Sequence, residues 1–290
     1  MSVTITTAQV QQYRRNVELM HQQMGSKLRE TVRTEPTNAK YHYFDLLAPT
    51  SMVKNTARHA DTPLVNSQHK RRRAEMFDFD WADLIDDQDR VRILIEPAGA
   101  YTQNAAMALG RSFDEEIIAS FDRAAAEGES GASSVVFDSA TFEIGAAGSG
   151  MSVDLLRSAK KILDEADVPD EDRHIVIAPQ QLQDLLTETE VTSADFNTVR
   201  ALVMGDLNTF MGFKFHRVTP SLLPYASGTD LRTCFAWHKN SMGMAEGYGL
   251  KVDVGPRRDK RNSVQVYVSA VFGGVRIQDA VVRIICDESP

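Results

Sequence analysis

Apolar residues near the start of the chain fall at Val10, Tyr13, Val17, Met20 and Met24, at spacings of 3, 4, 3 and 4. That period marks one helical face and predicts a helix from about Thr7 to Met24, ended by Gly25. The stripe is short, so it predicts a helix laid on another surface, of its own or another subunit, rather than a free coiled coil. Thr31 to Leu47 reads as extended, with a turn at Glu35-Pro36-Thr37-Asn38. Residues 48–70 are polar, contain Pro49 and Pro63, and show little periodicity. A stretch of that length suits a projecting hairpin or arm better than a loop inside a compact domain. Phe77, Phe79 and Trp81 then alternate with Asp78 and Asp80, the period of a strand with one buried face. Ala82 to Ile95 reads as a short helix or turn leading to Pro97.

The strongest helical pattern runs from Tyr101 to Ala126, with Ala105, Leu109, Phe113, Ile117 and Phe121 recurring every four residues. Such a helix would be about 39 Å long. Gly128 and Gly131 are expected to stop it, and GAAGSG at 145–150 reads as a flexible junction. A second region opens with Ser152 as helix cap and an inward face of Leu155, Leu156, Ala159, Ile162, Leu163 and Ala166. Pro169 closes that helix. Ile175 to Ala178 reads as a buried strand, and Pro179 as the first turn of a helix through Leu186. A helix over Asp195–Val203 and strands over Phe213–Val218 and Thr233–His238 follow. From Leu250 the pattern is β: Val264, Val266, Val268 and Ala270 alternate, and Val275 to Ile285 reads as one further long strand. These late strands are expected to return to the long helix and close the first region.

At 290 residues the chain has room for one large domain or two small ones, with a real core. Its net charge is -8, unevenly spread: residues 1–73 carry +7 and residues 74–130 carry -10. A basic quarter beside an acidic one favours charge pairing within or between subunits, and argues against a strong nucleic-acid binder. Cys234 and Cys286 are the only cysteines and lack CxxC spacing, which predicts reduced packing residues. The first residues lack the apolar core of a signal peptide, and no run reaches the ~18–20 apolar residues of a membrane span. A cytoplasm, or a particle assembled in one, is the expected location.

Catalytic patterns are missing. GAAGSG lacks the Lys-Ser/Thr of a phosphate loop, the seven histidines form no HxH or HExxH pair, and no GxSxG elbow occurs. The aspartates from Asp78 to Asp89 are spread over a strand and a turn without the spacing of a calcium loop. No enzyme activity, cofactor or metal is therefore expected. The chemistry that stands out is charge. Lys70, Arg71, Arg72 and Arg73 run into Asp78, Asp80, Asp83, Asp86 and Asp87. On a projecting arm, these suit ion pairing between copies of the chain better than contact with nucleic acid. Exposed pairs are individually weak, but repeated in an assembly they set register.

Several ungapped blocks carry a family resemblance: RHADTPL (Arg58 to Leu64), Arg71 to Arg73, WADLIDD (Trp81 to Asp87), NAAMALGR (Asn104 to Arg111) and Glu190 to Phe215. Together with the order of elements, they resemble the major capsid proteins of tailed bacteriophages, which have the Hong Kong 97 fold, an α+β fold. The resemblance covers roughly residues 20–286. It implies an N-terminal arm over 1–40, an extended hairpin or E-loop over 41–82, and a peripheral domain with a long spine helix over 83–150. It further implies an axial domain over 151–249 and closing peripheral strands over 250–290. The implied function is self-assembly into the icosahedral head shell around double-stranded DNA, with expansion on maturation. The alternative is the shell of a cellular nanocompartment of the same fold, enclosing enzyme cargo. Implied partners are copies of the chain in hexamers and pentamers, a separate scaffolding protein, a portal protein, a decoration protein and packaged DNA on the inner face, but no membrane. Implied contact residues are Lys54, Arg58, His59 and Lys70 to Arg73 on the E-loop and the five aspartates opposite. Val10, Tyr13, Val17 and Met20 would dock the arm. Some relatives crosslink an E-loop lysine to an asparagine; Lys54 lies in the loop, but nothing in the sequence names a partner for it.

Overall fold

The computed structural model describes residues 22–56, 61–85, 98–187, 209–260 and 262–288. The expected helix over Thr7–Met24 lies outside these residues up to residue 21, and its last three residues, Gln22 to Met24, are not helical; the helix over Asp195–Val203 lies outside them too.

The chain enters as a strap across the molecule: residues 22–28, a 3-10 turn at Arg29–Thr31, and β1 (Arg33–Pro36). β2 (Tyr41–Leu47) and β3 (His69–Glu75) form an antiparallel hairpin with Tyr41 opposite Glu75 and Leu47 opposite His69. The turn over 37–40 falls close to the expected position. The expected strand through Phe77 is real but broken at Met76, where β4 (Phe77–Ile85) begins and joins a different sheet. Ala82 to Ile85 belong to this strand, not to a helix or turn; β4 pairs with residues 264–272 from Phe77 to Ile85, and that ladder holds them extended. Residues 86–97 lie outside the described set.

The long helix, α1 (Ala98–Asp122), is about 37 Å long by its 25 residues. It ends earlier than its alanines suggested. Ala125 to Glu127 form β5, which pairs with β3 and with β6 (Ser133–Val135). Alanine's helix propensity, worth under ~1 kcal/mol per residue, is overridden there by a sheet ladder. The buried guanidinium of Arg276 also receives the helix end: it donates to the carbonyls of Phe121 (2.6 Å) and Arg123 (3.3 Å). A cation at a helix C-terminus satisfies orphan carbonyls and opposes the helix dipole.

After a short helix α2 (Ser139–Phe142), β7 (Glu143–Gly145) runs into the glycine-rich stretch. This stretch is not a loose junction. Gly145 sits at φ +94° against the carbonyl of Ile285, where a Cβ would collide. The Gly148 N–H donates to the Asp287 carboxylate at 2.7 Å, and the Asp287 N–H donates to the Ser149 carbonyl at 2.9 Å. Glycine is needed here for conformation and close approach.

α3 (Val153–Glu165) starts as its sequence predicts, with the Ser152 hydroxyl accepting the Leu155 N–H. Of its expected inward face, Leu156, Ala159 and Leu163 are buried, while Ala166 is the exposed cap residue. β8 (Arg173–Ile177) is buried throughout, and α4 (Pro179–Thr187) follows. The remaining strands are β9 (Thr209–Phe210), β10 (Phe213–Arg217), β11 (Tyr225–Ala226), β12 (Leu231–His238), β13 (Met242–Arg257), β14 (Ser263–Arg276) and β15 (Val281–Asp287).

Among the described residues three sheets result. One has the order β1-β13-β14-β4, a second β7-β15-β12-β8-β10-β9 with β11 on β12, and the third β2-β3-β5-β6. β14 does return to α1: Phe272 lies against Phe113, and stacks on Phe79 with ring centroids 4.1 Å apart and planes 4° apart. The expected single strand from Val275 to Ile285 is instead two, split at 277–280, and its second half pairs with β12 in the other sheet. Apolar content alone cannot see a strand change sheets, because both halves remain buried. One continuous core joins Leu28 of the strap, Phe113, Ile117 and Phe121 of α1, and Ile175, Phe235, Trp237 and Ile284 of the second sheet. Cys234 and Cys286 are buried and reduced within it.

Candidate assembly surfaces

The β2–β3 hairpin ends at the hydrogen bond from the Ala48 N–H to the Gln68 carbonyl, 2.9 Å, and continues as an irregular tip. Nearly all described tip residues are exposed, including apolar ones: Met52 is 100% and Leu64 97% exposed, with Leu47, Val53 and Val65 also outside. Scattered exposed apolar residues are ordinary, but several on one projecting element mark a contact surface. Lys54 lies on the tip, exposed, while Arg58 and His59 lie outside the described residues.

The basic cluster sits on β3, and strand alternation splits it. Lys70 is exposed. Arg71 reaches across the hairpin to Asp45, at 2.5 Å, and lies over the Tyr43 ring. The hydrogen bond from Arg71 holds the Asp45 carboxyl below its ordinary pKa. Arg72 points inward and is 3% exposed; it pairs with Asp279 at 2.8 Å, with Glu127 at 3.9 Å. Arg73 lies over the Tyr41 ring and donates to the Ser130 carbonyl at 3.0 Å. The three arginines thus have partners in their own chain. Their charge ties the root of the hairpin to β5 and to the turn before β15. Sequence reading missed this because Asp279 is far along the chain. Period two in RRRA was the available signal that one arginine must face inward.

The aspartates of β4 stand on an edge strand. Asp78 and Asp80 are exposed and Asp83 half-buried. Asp80 accepts the Tyr267 hydroxyl at 2.5 Å, and Asp83 accepts the Leu84 N–H at 2.8 Å. Charges on an open edge discourage unplanned strand pairing. Asp86 and Asp87 lie outside the described residues, as do Val10, Tyr13, Val17 and Met20.

The strap is fastened by residues that had no distinguishing motif. The buried carboxylate of Asp114 accepts the N–H groups of Lys27 and Leu28, both at 3.0 Å, and hydrogen bonds from Ser26 and Gln23. Three residues on, the Trp237 indole N–H donates to the Thr31 carbonyl at 3.0 Å. Gly110, one turn before Asp114, leaves the space the strap occupies: a Cβ there would come within 2.7 Å of Gly25 Cα and of the Ser26 nitrogen. In the first turns of α1, Asn104 accepts a hydrogen bond from Gln22 at 3.0 Å. Among the described residues, no group of three or more His, Cys, Asp or Glu side chains is placed to hold a metal, and no helix is long and apolar enough to cross a membrane.

A body built on a long helix, crossed by a pinned strap and carrying an extended, exposed hairpin, has the form of a subunit that joins others. A model of the family described as "Phage capsid protein" matches residues 5–288. The chain belongs to the phage capsid protein family. Its fold is the Hong Kong 97-type α+β capsid fold. The capsid protein is similar along almost its whole length to a chain of Mycobacterium phage Che8, at 18% identity and TM-score 0.68, over 94% of this chain and 96% of that one. The capsid of Ralstonia phage GP4 matches at 13% identity and TM-score 0.69, over 99% and 98%. The Cyanophage Pam1 capsid asymmetric unit matches at 12% identity and TM-score 0.70, over 99% of each chain. No curated protein of similar sequence matches. The capsid protein is thus a structural protein, a major capsid subunit of a multimeric shell in the virion. Its family separates the two shell readings in favour of the phage head.

Proposed function

We propose that the subunit builds an icosahedral head of hexamers and pentamers by lending its hairpin and N-terminal arm to neighbours, and that no catalytic step is involved. Residues 1–40 act as the arm, 41–82 as the E-loop, 83–150 with 250–290 as the peripheral domain, and 151–249 as the axial domain, whose sheet is completed by β7 and β15 from the flanking segments. The observation that supports the reading most is the tip, where Met52 and Leu64 stand in solvent, uncovered by the described residues. Burial of such side chains is favourable by about 1.5–3 kcal/mol each, and lent-arm interfaces of this kind exceed the ~1,600 Å² standard size. Lys54, Arg58, His59, Lys70, Asp78, Asp80, Asp83, Asp86 and Asp87 are the charges available to set register. Val10, Tyr13, Val17 and Met20 dock the arm. Arg71, Arg72 and Arg73 serve mainly by stiffening the hairpin root. Assembly takes place in the bacterial host cytoplasm, with a separate scaffolding protein. Expansion accompanies packaging of double-stranded DNA through a portal, and a decoration protein is a further partner.

Negative-stain microscopy of the chain, expressed alone and with its scaffolding protein, tests this. Closed shells are expected from the native chain, and folded but unassembled subunits from Met52→Ser/Leu64→Ser. Shells at normal yield from the double variant would remove the tip from the assembly mechanism.

A further inference from the structure

The strap lies along the flank between α1 and β13. Arg29 pairs with Glu246 of β13 at 2.7 Å and lies over the Phe113 ring of α1. Gly25 sits against Gly110. Gln22 donates to Asn104 at 3.0 Å and accepts from Arg111 at 2.7 Å. Followed backwards from Arg29 to Gln22, the strap therefore runs towards the N-terminal end of α1. Under that end of the helix, Ala105 packs with Val266 and Val268 of β14. Val252 and Val254 of β13 are the partners of Val268 and Val266, so they share the same sheet face. The helix does not cover them: they are 40% and 46% exposed. β1 pairs with β13 only as far as Glu246, and among the described residues no strand pairs with the outer edge of β13 beyond it.

We propose that in the unassembled subunit this open face is the seat of the chain's own residues 10–20, whose apolar stripe of Val10, Tyr13, Val17 and Met20 lies on Val252 and Val254. Resting on the reading of residues 1–40 as an arm, this seat holds the arm on its own body before a neighbour takes it. Proximity favours this occupant. Val252 lies about 5 Å from its partner Val268, Val268 packs with Ala105, and the adjacent Asn104 holds Gln22. The chain preceding Gln22 therefore begins next to the open face, and the strap already points along it. Length agrees: at ~1.5 Å per residue a helical stripe from Val10 to Met20 is about 15 Å long, enough to span the roughly 7 Å of strand from Val252 to Val254. Residues 86–97 also carry apolar side chains, but they set out from Ile85 on β4, at the opposite edge of the sheet. Apolar cover here keeps two valines and an unpaired strand edge from joining another chain too early.

Cysteine pairs in the full chain test the seat, because the native Cys234 and Cys286 are buried. Purified unassembled subunits carry Val17→Cys with Val252→Cys, or Val17→Cys with Val254→Cys. A control carries Val17→Cys with Asp253→Cys, which faces the other side of the sheet. Each is oxidised with copper phenanthroline and analysed by denaturing electrophoresis and peptide mass mapping. At least one of the first two pairs is expected to give a monomer-sized crosslinked product at a rate independent of protein concentration, as a link within one chain must. The control is expected to give little. A link between chains that rises with concentration would move the seat to a neighbour and overturn the proposal. A link from Ile93→Cys to Val252→Cys in place of Val17→Cys would give the face to residues 86–97, and no link at all would leave it open; either result overturns the proposal too. Shell yield from Val10→Ser/Val17→Ser reads the arm separately. Loss of shells without an intrachain link overturns the seat alone, whereas normal shells overturn the arm reading and the seat's purpose with it.

Discussion

The carboxylate of Asp114, midway along α1, accepts the backbone N–H of Leu28 at 3.0 Å although 86 residues separate them. Leu28 is itself fully buried against the same helix, so one carboxylate orients the strap and one side chain anchors it. Residues 22–31 are therefore held at a fixed place on the body.

Asp114→Asn keeps the volume but removes the charge from an acceptor with four donors. Charge-assisted bonds are worth about 1.5–3 kcal/mol, and buried donors left unmet cost about as much. The variant is expected to lose ~2–4 kcal/mol in urea unfolding of the unassembled subunit, with faster proteolytic cleavage within residues 22–31. Unchanged stability and cleavage would mean the strap is held by Leu28 and Trp237 alone.

Gly110→Ala should act against its local propensity. In a free helix the change stabilises by about 1 kcal/mol. Here the added Cβ meets the strap backbone at Gly25 and Ser26, which cannot swing aside as a side chain can. A net loss of about 1–3 kcal/mol is expected, read as a lower melting temperature. A higher melting temperature would show that the strap lifts freely from the helix.

Arg72→Glu and Lys70→Glu separate a subunit effect from an assembly effect. Arg72 is buried beside Asp279 and Glu127, so a carboxylate in its place leaves like charges together without a counterion. Loss of soluble folded subunit is expected, since breaking a buried pair costs ~3–5 kcal/mol. Lys70→Glu should fold normally by circular dichroism and melting, and reduce shell yield. Normal shells from Lys70→Glu would leave that lysine without an assembly role.

Acid should destabilise the subunit through a histidine pair on β8 and β10, where His174 Nδ1 lies 3.0 Å from His216 Nε2. Burial, then the charges of His216 and Lys214, lower the pKa of His174 from 6.5 to about 3. Burial likewise lowers His216, which Lys214 lowers further and Asp114 raises, and lowers His238, which Asp172 raises. The facing charges on His174 also include Asp172, which raises it, and Lys239, which lowers it. As pH falls below 6.5 the unfolded chain takes up protons that the folded chain refuses until about pH 3, so stability falls across that window. His174→Gln should flatten the dependence between pH 6.5 and 5, by about 0.7 kcal/mol per pH unit at the upper end rising to about 1.4 at the lower, measured by urea unfolding. An identical slope in the variant would remove His174 as its source.

Much of the body was legible locally. The Ser152 cap, the Pro179 helix start and the run Ile175 to Ala178 are set by residues within a few positions of one another, and the structure has them where their spacing places them. The α+β capsid fold was legible from blocks such as NAAMALGR, whose glycine proves to be the contact point for the strap. Alternation likewise marked Phe77, Phe79 and Trp81 as one face of β4, although Phe77, at the start of the strand, is exposed. What local pattern could not carry was every decision made between distant segments. Ala125 to Glu127 became a strand because β3 and β6 offered ladders on both sides. Val275 to Ile285 was divided between two sheets, although both halves are apolar. The arginines of the basic cluster found Asp45, Asp279 and the Ser130 carbonyl in their own chain. Charge along a sequence determines how much electrostatic attraction is available; only the packed chain decides which partner lies within reach. For this protein the sequence by itself determined most of the helices and strands, much of their inward faces, and the family. The tertiary structure alone decided that the strap is pinned between Asp114 and Trp237, because hydrogen bonds across 86 and 206 residues leave no trace in local spacing.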